Sequence, residues 1–155
     1  MPSIGSIEIR LTDAGKKALK KAYLEACHEV AEHTYSEAAV NLTEKRWGDS
    51  SSIITDTGEL LSSEELKKTQ NGATLVFNAE HASHVEYGIP VGTYVPITVL
   101  ARWAGRKLGL SEKEALSAAY AIQTKIANEG TDPRPFLREA VYTVVHEYDK
   151  KKVDV

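Results

Sequence analysis

Cysteine is almost missing from this sequence, positive charge is outnumbered by negative, and no long apolar run occurs. Each shortage removes a class of protein. The single cysteine, Cys27, has no partner for an internal disulfide, and its neighbours Ala22, Ala26 and Val30 at helical steps predict a small buried hydrophobe in a reducing compartment. With 19 Lys and Arg against 22 Asp and Glu, the formal net charge is −3, so no overall basic field exists to hold a nucleic acid by counterion release. Dedicated DNA binding is not expected. No window approaches the length of uninterrupted apolar sequence that a membrane span needs, and Met-Pro-Ser-Ile-Gly at the start carries no basic stretch before an apolar run. Neither a membrane partner nor a visible export signal is therefore expected.

Catalytic signatures are equally scarce. No serine sits in a strained nucleophile turn, no glycine-rich phosphate cradle exists, and Cys27 lies mid-helix in an apolar context that does not suit a reactive thiol. Asp49 and Asp132 have no carboxylate partner at a recognisable spacing. An enzyme is a residual hypothesis, with no catalytic residue and no cofactor site to nominate.

What the chain does have is enough apolar sequence for one core: 42% apolar and 26% charged over 155 residues predict a single domain over 1–148, followed by a charged, fraying tail at 149–155. Its organising stretch is Thr131 to Val145. Pro133 and Pro135 fix two φ angles and push their predecessors out of the helical region, so the approach is stiff and a helix can begin directly after it. Phe136, Leu137, Ala140, Val141, Val144 and Val145 give that helix an apolar face.

The remaining periodicities predict an α+β fold, with a small antiparallel sheet made of an N-terminal strand plus a hairpin, packed with a long N-terminal helix and three further helices. Ile7, Ile9 and Leu11 alternate with Glu8 and Arg10 in a strand over residues 4–11. Thr12 or Asp13 then caps a helix of about 30 residues, with Leu19, Ala22, Ala26, Val30, Ala38 and Leu42 on its apolar side. Lys16, Lys17, Lys20 and Lys21 oppose the macrodipole of its first turns, and read as either a solvated or a partner-facing patch. Residues 48–58 are small and polar, a loop. Residues 60–70 suit either a short helix or a strand; Asn71-Gly72 is a hairpin turn signal before a strand over residues 73–79, and residues 65–70 read as its antiparallel partner. A short helical turn over 81–87 ends at Gly88, and a loop follows. One helix, marked by Leu100, Trp103, Ala104 and Leu108, stops at Gly109. The next is opened by a Ser111/Glu114 capping box, carries Ala115, Ala118, Ala119, Ile122 and Ile126 on its buried side, and ends at Gly130.

Two histidine pairs invite a metal reading. His28 and His33 flank Glu29 and Glu32, but their i, i+5 spacing rotates them about 140° apart on a helix, whereas a helical zinc pair needs i, i+4. Both are expected on the surface. His81 and His84 have a spacing that chelates only if helical, and no second ligand set accompanies them. No metal site is nominated.

Three landmarks follow one another: Asp56-Thr57-Gly58-Glu59-Leu60, then His81-Ala82-Ser83-His84-Val85-Glu86-Tyr87-Gly88, then Pro133-Arg134-Pro135-Phe136-Leu137-Arg138-Glu139-Ala140. In order and spacing this resembles the head-tail connector, or tail-completion (neck), proteins of long-tailed phages and related proviruses. Those proteins carry Thr-Gly-x-Leu, Tyr-Ala-x-x-Val-Glu-x-Gly-Thr and Pro-x-Pro-Phe-Leu-x-Pro-Ala motifs after an N-terminal strand and long helix. The chain departs from them at His81 for tyrosine, Ile89 for threonine and Glu139 for the second proline. The resemblance implies a virion structural subunit and not an enzyme. It would form a homo-oligomeric ring, a hexamer before a dodecamer, between a portal-side connector and the tail tube or tail terminator. Double-stranded DNA would pass through without sequence recognition. The place implied is the neck of the virion, reached from the host cytoplasm during assembly. The partner-contacting residues expected under it are Trp47, Glu86, Tyr87, Tyr94, Arg134, Phe136 and Arg138, with the loops at 48–58 and 88–96. A tail terminator or minor tail protein is the alternative within the class. A metal-dependent enzyme using His81 and His84, with His28, is the alternative outside it.

Overall fold

The computed structural model describes residues 10–47 and 56–153. The strand expected over 4–11 and most of the loop expected over 48–58 lie outside the described residues. Within them the fold is α+β, with a long first helix and one antiparallel hairpin.

Helix α1 (Asp13–Thr43) opens at Thr12, whose Oγ1 accepts the Gly15 N–H at 3.1 Å. That leaves Asp13 in the first turn, where negative charge suits the helix dipole. Its two halves have different surroundings. Thr34, Ala38, Asn41 and Leu42 are buried in the C-terminal half, whereas no side chain from Asp13 to Cys27 is buried. The expected apolar side of the helix is therefore core only from Ala38 onward; Leu19, Ala22 and Ala26 are exposed, Val30 is half-buried, and Cys27 is half-buried where a buried site was expected. The first half is an arm without a fully buried side chain, half-buried only at Gly15, Leu24 and Cys27.

The ambiguous stretch before the hairpin is both things in turn: α2 (Glu59–Ser62), then β1 (Glu64–Thr69). β1 pairs with β2 (Gly72–Phe77) in a register that sets Thr69 opposite Gly72 and Glu64 opposite Phe77. The two loop residues are thus Gln70 and Asn71, one earlier than Asn71-Gly72 predicts. Thr69 is the reason: its Oγ1 receives the Asn71 N–H at 3.3 Å and donates to the Gly72 carbonyl at 3.1 Å, closing the turn before the glycine. The His28 ring Nε2 meets the Thr69 and Gly72 carbonyl oxygens at 3.3 and 3.2 Å. It is a half-buried tether between α1 and the hairpin tip, not the free surface residue expected.

Helix α3 (Ala82–Tyr87) leads through Gly88 into a loop and then a helical hairpin, α4 (Ile97–Leu108) and α5 (Glu112–Glu129). Gly109, at φ 66°, takes the left-handed conformation that ends α4. The Glu114 carboxylate accepts the Ser111 backbone N–H at 3.0 Å, completing the capping box. Leu100, Ala104, Ala115 and Ala119 are buried, so the two helices approach closely through alanine.

Helix α6 (Phe136–Val153) starts directly after the second proline and packs antiparallel on the C-terminal half of α1, with Asn41 at Phe136 and His33 near Tyr148. Phe136, Ala140 and Val144 are buried, while Val141 and Val145 of the expected apolar face are exposed. α6 also continues through 149–153, so the expected fraying tail is helical as far as Val153. The principal core joins Ala38, Leu42 and Trp47 to Leu60, Phe136 and Ala140, with Phe77 edge-on to Phe136 at 5.0 Å between ring centres.

Candidate functional site

The N-terminus of α6 has no cap of its own. Pro133, Arg134 and Pro135, which precede it, carry no side-chain acceptor, so the first N–H groups of the helix need an acceptor from elsewhere in the chain. Glu86, at the end of α3, supplies it. Its carboxylate accepts the backbone N–H groups of Leu137 at 3.0 Å and Arg138 at 3.1 Å, the second and third positions of the helix. The Arg138 side chain closes over the same group: Nε donates to the Glu86 carboxylate at 2.8 Å and Nη2 to the Glu86 backbone carbonyl at 2.9 Å. Glu86 is 6% exposed, so one carboxylate inside the fold satisfies two helix donors and a guanidinium together.

Backbone contacts extend this clasp along both strands of chain. The Arg134 N–H donates to the Val85 carbonyl at 2.8 Å, and the Thr131 N–H to the Ile89 carbonyl at 2.9 Å; in return the Ile89 N–H donates to Thr131 Oγ1 at 2.9 Å. Gly88 is required here. A Cβ on it would lie 2.3 Å from the Thr131 carbonyl oxygen, and its φ of 77° is one that other residues rarely adopt. From the opposite side, the Asn41 amide donates to the Phe136 carbonyl at 2.9 Å and Lys45 pairs with Glu139. Glu139 also makes the helical bond from its N–H to the Pro135 carbonyl at 3.0 Å, which a proline at 139 would lose.

The structure brings together five of the seven residues expected to contact partners: Glu86, Tyr87, Arg134, Phe136 and Arg138. Their roles divide. Phe136, at 1% exposure, is core, and Glu86 is the buried cap, so both hold the protomer together where side chains presented to a partner were expected. Trp47 is corrected in the same way: it is buried, its indole N–H donates to the Asn41 carbonyl at 3.2 Å, and Lys45 lies over its ring. Tyr87 is exposed and carries the Arg138 guanidinium 4.8 Å from its ring centre, forming the outer face of the clasp. Tyr94 stands apart at 74% exposure. Its loop is nonetheless fixed from beneath, where the Gly92 N–H donates to the Ala127 carbonyl at 2.8 Å and Gln123 to the Val95 carbonyl at 2.7 Å.

The first landmark meets a different neighbour. Thr57, Gly58 and Leu60 line a cleft of about 310 Å³ against His81 and Val85 of the second landmark and Trp103 of α4. Asp56 closes its edge by accepting from Arg106 at 2.5 Å, with Lys107 at 3.6 Å. The Arg106 hydrogen bond, helped by the positive charges of Arg106 and Lys107 and opposed by partial desolvation, holds the Asp56 carboxyl below its usual range. No signal in the sequence pairs these residues, which are 50 positions apart. Asn41 was more accessible to sequence reasoning, as a polar residue among the apolar positions Ala38 and Leu42. Among the described residues no group of three or more His, Cys, Asp or Glu side chains is placed to hold a metal ion.

Comparison of the chain with protein-family models, with curated proteins and with solved structures finds no match.

Proposed function

We propose that this protein is a head-tail connector (neck, tail-completion) subunit of a long-tailed virus or provirus. It acts by assembly and not by bond-making. Copies form a ring, six favoured over twelve, between the portal-side connector and the tail tube or tail terminator, and the genome passes through at ejection. One observation supports this above the rest. Residues of the second and third landmarks, 51 positions apart, meet in the Glu86 clasp, so two of the three motifs that carry the resemblance form one physical unit. The clasp fixes the angle of α6 and leaves Tyr87 and Arg138 on its outer face, with Tyr94 on a braced loop: a rigid polar and aromatic surface of the kind that anchors protein contacts. A net charge of −3 suits a channel that should not retain phosphate.

The test is made on virus particles that lack the protein. Filled heads and separate tails should accumulate, and adding the purified protein should join them into infectious particles. Complete particles formed without it would end the proposal.

A further inference from the structure

The two strands of the hairpin are unlike. β1 carries Glu64, Glu65, Lys67 and Lys68, whereas β2 carries no charge and brings Ala73, Leu75, Val76 and Phe77. Charged side chains keep an unpaired edge strand from accepting another chain, so β1 is built as an outer edge and β2 is not. The register nevertheless leaves β2 open. The Asn78 N–H donates to the Ser63 carbonyl at 3.0 Å, and in the same alternation Val76 and Thr74 bond across to Glu65 and Lys67. The N–H and C=O groups of Ala73, Leu75 and Phe77 therefore point away from β1, and among the described residues no third strand meets them. The side chains of these three residues are only half-buried.

The chain holds a segment with the matching pattern. Ile7, Ile9 and Leu11 alternate with Glu8 and Arg10, and Leu11 is 49% exposed at the root of the arm. This segment is too short to line the β2 edge of its own chain. His28 meets the hairpin at its tip, and β2 runs from there toward Phe136, away from the arm. Along α1, Thr12 is about 24 Å from His28. Fully extended, the chain from Thr12 back to Ile7 spans about 17 Å and back to Ile9 about 10 Å, so both isoleucines fall short of the tip. The arm thus carries the segment away from its own sheet. We infer that residues 4–11 of one copy add as a third strand to the β2 edge of another copy. Ile7 and Ile9 then share the inner face with Leu75 and Phe77, and Glu8 and Arg10 share the exposed face with Thr74 and Val76. Each copy gives a strand and receives one, so the contact closes as a reciprocal pair or a ring, or grows as a chain.

The inference does not rest on the connector proposal, and it is tested on the pure full-length protein at micromolar concentration. Sedimentation velocity should show more than one chain per particle. Amide hydrogen exchange, read residue by residue under the same conditions, should show Ala73, Leu75 and Phe77 protected. Ile7→Lys/Ile9→Lys, which alters no residue of the described fold, should sediment as one chain. In that variant the same three amides should exchange about tenfold faster or more, while Thr74 and Val76, bonded to β1, stay protected and report that the hairpin is folded. A wild-type protein that stays a single chain would overturn the inference, whether its three outward amides are free or are protected by its own segment. So would a multi-chain particle in which those amides exchange freely. Protection that survives Ile7→Lys/Ile9→Lys would overturn it as well, since the cover would then be another surface, such as the β2 edge of a second copy.

Discussion

Glu86 and Arg138 hold each other at both ends: the Arg138 Nε and backbone N–H reach the Glu86 carboxylate, and its Nη2 reaches the Glu86 carbonyl. The carboxylate is buried and the arginine side chain is 55% exposed. The two partners are therefore not equivalent. Removing Glu86 leaves the Leu137 and Arg138 N–H groups unsatisfied within the fold, whereas removing the Arg138 side chain leaves Glu86 its two backbone donors. Glu86→Ala is expected to cost about 2–3 kcal/mol of stability and Arg138→Ala about 1 kcal/mol or less. Urea unfolding of both variants measures this, and equal losses would mean that the ion pair, not the helix cap, matters.

Phe136→Ala empties a site that Phe77, Ala38, Leu42 and Leu60 surround, and should cost about 3–5 kcal/mol. Thermal unfolding would show it directly. A variant with near wild-type stability would show that Phe136 serves an external surface after all.

Gly88→Ala and Gly109→Ala separate backbone strain from steric collision. Both positions have positive φ, but a Cβ at Gly109 meets nothing within 4 Å and one at Gly88 meets the Thr131 carbonyl oxygen at 2.3 Å. The Gly109 variant should lose about 1 kcal/mol. The Gly88 variant should lose clearly more and give a changed near-ultraviolet spectrum from the displaced Tyr87. Similar melting temperatures for the two would refute the close packing of residues 85–89 on 131–134.

Asp56 ties residues before α2 to α4, and its lowered pKa sets the sign of a pH effect. A carboxyl whose folded pKa lies below the unfolded value adds stability above the unfolded value, about 3.9, and loses it as pH falls through the folded one. Wild type should therefore be more stable than Asp56→Asn at neutral pH, with the gap narrowing below about pH 4. A gap that is constant over that range in paired thermal melts would show that charge is not its source.

Tyr87→Ala and Tyr94→Ala remove exposed side chains and should change stability by no more than about 0.5 kcal/mol. If they face partners in the neck, both variants should fold normally and fail to restore head-tail joining. Full activity of the double variant would remove this surface from the proposed assembly.

Local signals in the sequence determined most of the elements. Apolar spacing and caps at Thr12, Ser111, Gly109 and Gly130 place α1, α4 and α5, because each depends on residues within a turn or two of one another. The Pro133-Arg134-Pro135 entry fixes the start of α6 for the same reason. What only the tertiary structure decided is which faces are covered. Leu19 and Leu42 are both apolar residues of one helix, yet Leu42 lies under Phe136 and Leu60 while Leu19 is exposed, since α6 and the hairpin meet only the later part of α1. Glu86 reads locally as one more surface acid near the end of a short helix. It becomes the cap of α6 because two prolines deprive that helix of a local acceptor and the fold brings α3 to its first turn. Periodicity marks a side chain as apolar or charged, but its burial is set by segments far away in the chain, whose approach is a property of the whole packing.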